Sequence, residues 1–98
     1  MMQKLKQDEI DISLESLDKW KLEGNVLTKE FGFKGFRTAI EFINLLSLVA
    51  EKIDHHPDWS NSYNRVIIHL TTHQANGLTK KDFIFAKEAD KFAEQLRR

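Results

Sequence analysis

From Phe36 to Ile53 apolar side chains return every three or four residues, and Phe36, Ala39, Phe42, Ile43, Leu46, Val49, Ala50 and Ile53 share one side of a helical wheel. The stripe predicts a helix from about Gly35 or Phe36 to Asp54. Pro57 closes it, because proline cannot continue a helix and biases His56 towards extended backbone. Leu48 falls almost opposite the stripe and Leu45 lies off it, so this helix carries apolar side chains that a single sheet cannot cover. Either they are two ordinary exposed leucines, or a second subunit packs there.

Elsewhere the period shortens to two. Val66, Ile68 and Leu70 alternate with Ile67, His69, Thr71 and His73, which predicts a strand over residues 65–72, preceded by another over 59–63. Residues 20–23 and 26–33 flank the turn signal Gly24-Asn25 and read as a hairpin. Within the first 19 residues, Ile10, Leu14 and Leu17 keep helical spacing, which predicts a short amphipathic helix. After an Asn76-Gly77 turn, Thr79 is an N-cap with Asp82 three residues on, a capping-box variant opening a last helix that buries Phe85, Ala89, Phe92, Ala93 and Leu96. The order α-β-β-α-β-β-α predicts an α+β fold: one domain over residues 1–98, a four-stranded antiparallel sheet with helices packed on one face.

Composition narrows the function more than the fold. The chain has 98 residues, near the small end for a self-sufficient core, which makes a subunit interface an expectation. Its 15 basic and 15 acidic residues cancel, leaving no broad positive field for nucleic acid. The lack of cysteine excludes disulfides, thiolate metal sites and a cysteine nucleophile. The start lacks a signal-peptide run, and residues 45–50, the most apolar stretch, are too few to span a bilayer. A soluble cytoplasmic protein with no membrane partner is expected.

The candidate chemistry lies between Glu51 and Asp82, a stretch that holds all four histidines. His55, His56 and His73 flank the second strand pair, so folding it could bring them towards one pocket. Imidazole takes both protonation states near neutrality, so one ring can donate a proton while another accepts one. Glu51, four residues before His55, could hold that ring in one tautomer. Ordinary roles compete with this: exposed rings at a turn for His55 and His56, a surface position for His73, and a structural or interfacial one for His69. Trp59 and Tyr63 suit core packing and sheet pairing. A zinc site could draw on His55 or His56, His73 and Asp54, Asp58 or Asp82, but adjacent histidines project differently and no HExxH spacing occurs. No metal or cofactor is expected. Serine-hydrolase, P-loop and dinucleotide motifs do not occur in the sequence.

The residues Glu51-Lys52, Asp54-His55-His56-Pro57, Trp59, Asn61, Tyr63-Asn64, Val66, Ile68, Leu70, Thr72-His73, Gly77-Leu78-Thr79 and Asp82 form a long composite pattern. With Trp20, Glu23-Gly24, Phe31-Gly32-Phe33, Phe36 and Ala39 upstream, this pattern resembles the pterin-4a-carbinolamine dehydratase family over about residues 14–92. The resemblance implies a metal-free enzyme that dehydrates 4a-hydroxytetrahydropterin to quinonoid dihydropterin in tetrahydropterin recycling. It implies His55, His56 and His73 as active-site histidines, with Trp20, Glu51 and Asp82 around the pterin. It also implies a homodimer or homotetramer built through the sheet and the long helices, which would cover Leu45 and Leu48. A second reading within the same resemblance is a dimerisation or coactivator module acting through a protein partner. Gln74, Arg65, Ser62 and the turn before Trp20 depart from the family pattern without removing any of these groups.

Overall fold

The structure, a computed structural model, describes residues 3–97. It contains α1 (Gln7–Glu15), β1 (Lys21–Glu23), β2 (Val26–Gly32), α2 (Phe36–Ile53), β3 (Asp58–Ser62), β4 (Arg65–Leu70), a 3-10 turn (His73–Ala75) and α3 (Lys80–Leu96). The four strands form one antiparallel sheet in the order β1-β2-β4-β3. The two hydrophobic strands, β2 and β4, therefore lie at the centre and the short polar ones at the edges. Gly24, at φ +61, occupies the first position of the two-residue loop joining Glu23 to Val26, where a primed hairpin turn needs positive φ.

Alternation decides which sheet face is covered. Leu27, Phe31, Val66, Ile68 and Leu70 are fully buried and meet Phe42 and Leu46 of α2 and Phe85 and Ala89 of α3 in one core. Phe42 stacks at a tilt on both Phe31 and Phe33, with centroids 4.9 and 4.8 Å away. Truncating such a ring to alanine costs about 3–5 kcal/mol, so this aromatic row is a principal anchor of helix on sheet. The opposite face shows Thr28, Glu30, Ile67 and His69 and is mostly polar.

Three side chains depart from the sequence reading. Phe36, counted in the core stripe, is 51% exposed. It is the first helical residue, and helical side chains lean towards the N-terminus, where α2 has no earlier turn to cover. Leu17 lies beyond the end of α1 and is only partly buried. Tyr63 is not a strand residue but sits at φ +51 in the β3–β4 turn, 68% exposed, while Trp59 does pack against the core. Leu48 projects away from the core at 68% exposure, as its wheel position requires. No helix among the described residues is long and apolar enough to cross a membrane.

Candidate active site

The end of α2 fixes the first two histidines. Asp54 adopts the left-handed conformation at φ +54, so the Asp54 N–H donates to Glu51 O (3.4 Å) and the His55 N–H to Ala50 O (3.0 Å). These are the paired bonds of a Schellman C-cap, with aspartate where glycine is usual. A non-glycine residue in this region carries strain of about 1–2 kcal/mol. Reversal of the chain at Asp54 turns His55 inward, where it is 8% exposed, and leaves His56 outside.

The partners of these rings differ from the spacing-based expectation. Glu51 holds His56, not His55, with Oε2 2.7 Å from Nε2 in an exposed pair. The helical i,i+4 geometry that would have paired Glu51 with His55 is lost because α2 stops at Ile53. His55 instead meets Asp82, 27 residues on: Nε2 lies 2.6 Å from Oδ1.

Asp82 has no exposed surface. A buried carboxylate is tolerated only when its oxygens are satisfied, and three donors converge here. Besides the His55 ring, Oδ2 accepts from the Thr72 hydroxyl (2.8 Å) and from the Thr79 N–H (2.9 Å). The second of these is the N3-to-N-cap half of the capping box read from the sequence. Thr72 gives its only proton to the carboxylate, so the 2.9 Å contact between the two threonine hydroxyls must be donated by Thr79. Proton directions in the group are thereby fixed. Asp82 as an acceptor requires the His55 proton on Nε2. Every buried side-chain nitrogen and oxygen among the described residues has a partner, whereas Nδ1 of His55 has none among those residues. Nδ1 is therefore the ring atom that reaches the surface.

His73 opens the 3-10 turn immediately after Thr72 and is exposed. The loop that bears it is thus tied, through Thr72, to the same carboxylate that holds His55. Sequence reading picked out Asp82 as an N-capping residue and pocket neighbour. It missed that the carboxylate lies behind His55, and it assigned Thr72 and Thr79 no part in the site. The only available signal was the acid at the third position of α3.

Trp20 lies in a second cluster. Its indole N–H is shared between both Asp90 oxygens at 3.1 Å, and Lys29 reaches Asp90 at 2.7 Å and the Asp18 carbonyl at 2.8 Å. Asp90 is eight residues after Asp82 in α3, about 12 Å along the helix at 1.5 Å per residue. Within this chain the Trp20 indole therefore hydrogen-bonds to the Asp90 group and not to the His55 group. His69 is on the polar sheet face, opposite Thr28 and Asp58. No three His, Asp or Glu side chains among the described residues converge in a metal-holding arrangement.

Comparison with known proteins assigns the chain a family. The family model for pterin 4 alpha carbinolamine dehydratase matches residues 3–92. A provisionally assigned pterin-4-alpha-carbinolamine dehydratase of Metallosphaera sedula is 42% identical over 95 residues, covering 97% of this chain and 99% of the relative. One of Chelativorans sp., assigned in the same way, is 44% identical and covers 93% and 95%. A crystal structure described as a transcriptional coactivator/pterin dehydratase from Brucella melitensis superposes with a TM-score of 0.88 at 41% identity, over 92% of this chain and 98% of that one. A match over nearly the whole length, in sequence and in fold, makes this chain a member of the pterin 4 alpha carbinolamine dehydratase family.

Proposed function

We propose that this chain dehydrates 4a-hydroxytetrahydropterin with its own histidines as the proton donor and acceptor, returning quinonoid dihydropterin to tetrahydropterin recycling in the cytoplasm. The observation that carries the reading is His55, backed by a buried carboxylate on Nε2 and open to solvent at Nδ1, on the same hydrogen-bonded group as the His73 loop.

The chemistry asks for little more. The C4a–O bond breaks as one imidazolium gives its proton to the departing hydroxyl, which leaves as water. The N5 electron pair forms the C4a=N5 bond, and the N5 proton passes to a second, neutral imidazole. One proton leaves the protein and one arrives, so its total is unchanged after each turnover. His55 and His73 are the acid/base pair in this scheme. Asp82 acts behind His55, holding the tautomer and stabilising the cation in the manner of a buried carboxylate behind a catalytic imidazole. His56, held by Glu51 at the surface, binds and positions the pterin. Trp20 and Glu51 complete the proposed binding set. No cofactor is required by the balance.

The test is stopped-flow absorbance of the carbinolamine as a hydroxylase generates it. Faster decay with the protein than without supports the reading, and an unchanged decay contradicts it.

A binding role is the second reading, and the exposed apolar side chains of α2 favour it. Leu48 and Phe36 are 68% and 51% exposed, and the related Brucella melitensis protein is described as a coactivator as well as a dehydratase. We assign Leu48 to a homodimer or homotetramer contact through α2. Leu48→Glu is expected to lower the light-scattering mass by a whole-subunit step, and an unchanged mass would remove the contact.

A further inference from the structure

The loop over residues 72–77 carries His73 and is closed by its own backbone. The Thr72 N–H donates to Gly77 O at 3.1 Å and the Gly77 N–H returns to Thr72 O at 3.3 Å. The Ala75 and Asn76 N–H groups close the turn onto Thr72 O and His73 O, at 3.1 and 3.0 Å. The His73 ring makes no hydrogen bond to any of the described residues, so its position follows from how the two flanks of the loop are held. On one flank Thr72 is tied to Asp82.

The other flank runs into Thr79, which bonds to Asp82 and Thr72, and it is also backed from outside the site by the segment that precedes α1. The Leu5 N–H donates to Leu78 O at 2.8 Å, and Leu5 packs against the core. Beside it the Lys4 stem lies across Gly77. A Cβ at Gly77 would stand 2.7 Å from Lys4 Cε and 3.2 Å from both Cδ and Cγ. Gly77 is buried and its φ is not positive, so a side chain here would meet the Lys4 stem and no backbone penalty. The contact is made by methylenes, while the Lys4 side chain remains largely exposed.

We propose that Lys4 and Leu5 form a clamp on the back of this loop and are positioning residues for His73. The proposal rests on the dehydratase reading for its catalytic consequence, though not for its structural one. Backed by the clamp, the loop holds the imidazole at a fixed place; without it, the loop keeps its internal bonds and pivots on its ties at Thr72 and Thr79. A displacement near 1 Å at a reacting group costs roughly 100-fold in rate, so a smaller pivot is expected to cost roughly tenfold. A cavity of about 420 Å³ lined by Gln3, Lys4, Leu5, Lys6, Glu9 and Lys80 gives the Lys4 side chain room to swing aside. Gly77→Ala therefore displaces the clamp by moving a flexible side chain rather than backbone.

The experiment compares the full chain with Lys4→Ala, Lys4→Met and Gly77→Ala, reading the carbon-bound ring signals of the four histidines by NMR together with kcat and KM. In Lys4→Ala and Gly77→Ala the His73 ring signal is expected to move while that of His69 stays. The value of kcat should fall roughly tenfold with little change in KM. Lys4→Met keeps the stem without the charge and is expected to restore both readouts, which a role for the ammonium would not allow. A His73 signal unmoved in Lys4→Ala and Gly77→Ala overturns the clamp whatever the rates are, and a moved signal with unchanged kcat overturns its catalytic purpose. If the wild type itself fails to dehydrate the pterin, the proposed function falls while the ring signals still decide the clamp.

Discussion

Asp82→Asn is expected to lower kcat roughly 100-fold, the lower end of what a positioned acid or base contributes, in a chain that remains folded. The carboxylate accepts from three donors with two oxygens. An amide has one oxygen and one NH2. Turning the oxygen to the Thr72 hydroxyl and the Thr79 N–H satisfies both, which leaves the NH2 facing His55 Nε2. A donor there forces the His55 proton onto Nδ1, the tautomer opposite to the one the carboxylate selects, and removes the charge that favours the imidazolium. The packing is nearly isosteric, so the loss should appear in rate with a modest fall in stability. Loss of a negative charge in the first turn of α3 alone costs about 0.3–1 kcal/mol. Asp82→Ala would instead leave buried donors without an acceptor and cost about 3–5 kcal/mol if the pair is charged. Thermal unfolding and steady-state rates on Asp82→Asn separate the two effects; a rate within threefold of wild type would show that the buried carboxylate serves packing alone.

His73→Ala is expected to reduce turnover by about 100-fold or more while shifting stability by no more than about 0.5 kcal/mol. The ring is exposed and has no hydrogen-bond partner among the described residues, so its removal leaves no cavity and no orphaned buried group. The contrast with His55 is instructive. His55 is buried and paired, and its truncation costs stability as well as rate. His69→Gln is the matched control, because His69 is exposed on the polar sheet face, away from the Asp82 group. Its turnover should stay within twofold of wild type, and a large loss there would place the pocket on the opposite side of the sheet. Full activity in His73→Ala would remove His73 from the acid/base pair.

Local patterns carried most of the fold. The apolar stripe located α2, period-two alternation located β4, and Gly24-Asn25 and Thr79 with Asp82 marked a turn and a helix start that the structure contains. These are signals within a few residues, where backbone geometry dictates which side chains share a face. The pairing of His55 with Asp82 was not legible in that way. It depends on one backbone conformation, the left-handed Asp54, which turns His55 off the helical course and hands Glu51 to His56. It also depends on how the start of α3 sits against the end of α2, a tertiary register that no spacing encodes. Trp20 illustrates the same limit in its contacts, since its hydrogen-bond partner, Asp90, is 70 residues away and no spacing pairs the two. The candidate histidines and Asp82 could be named from sequence; that Asp82 orders His55 needed the fold.

The most direct test of the histidine account follows carbinolamine decay by stopped-flow absorbance with wild type and with His55→Ala/His73→Ala, circular dichroism first establishing that the double variant is folded. The account predicts acceleration by wild type and decay at the uncatalysed rate with the double variant. Acceleration that survives in the folded double variant would contradict it.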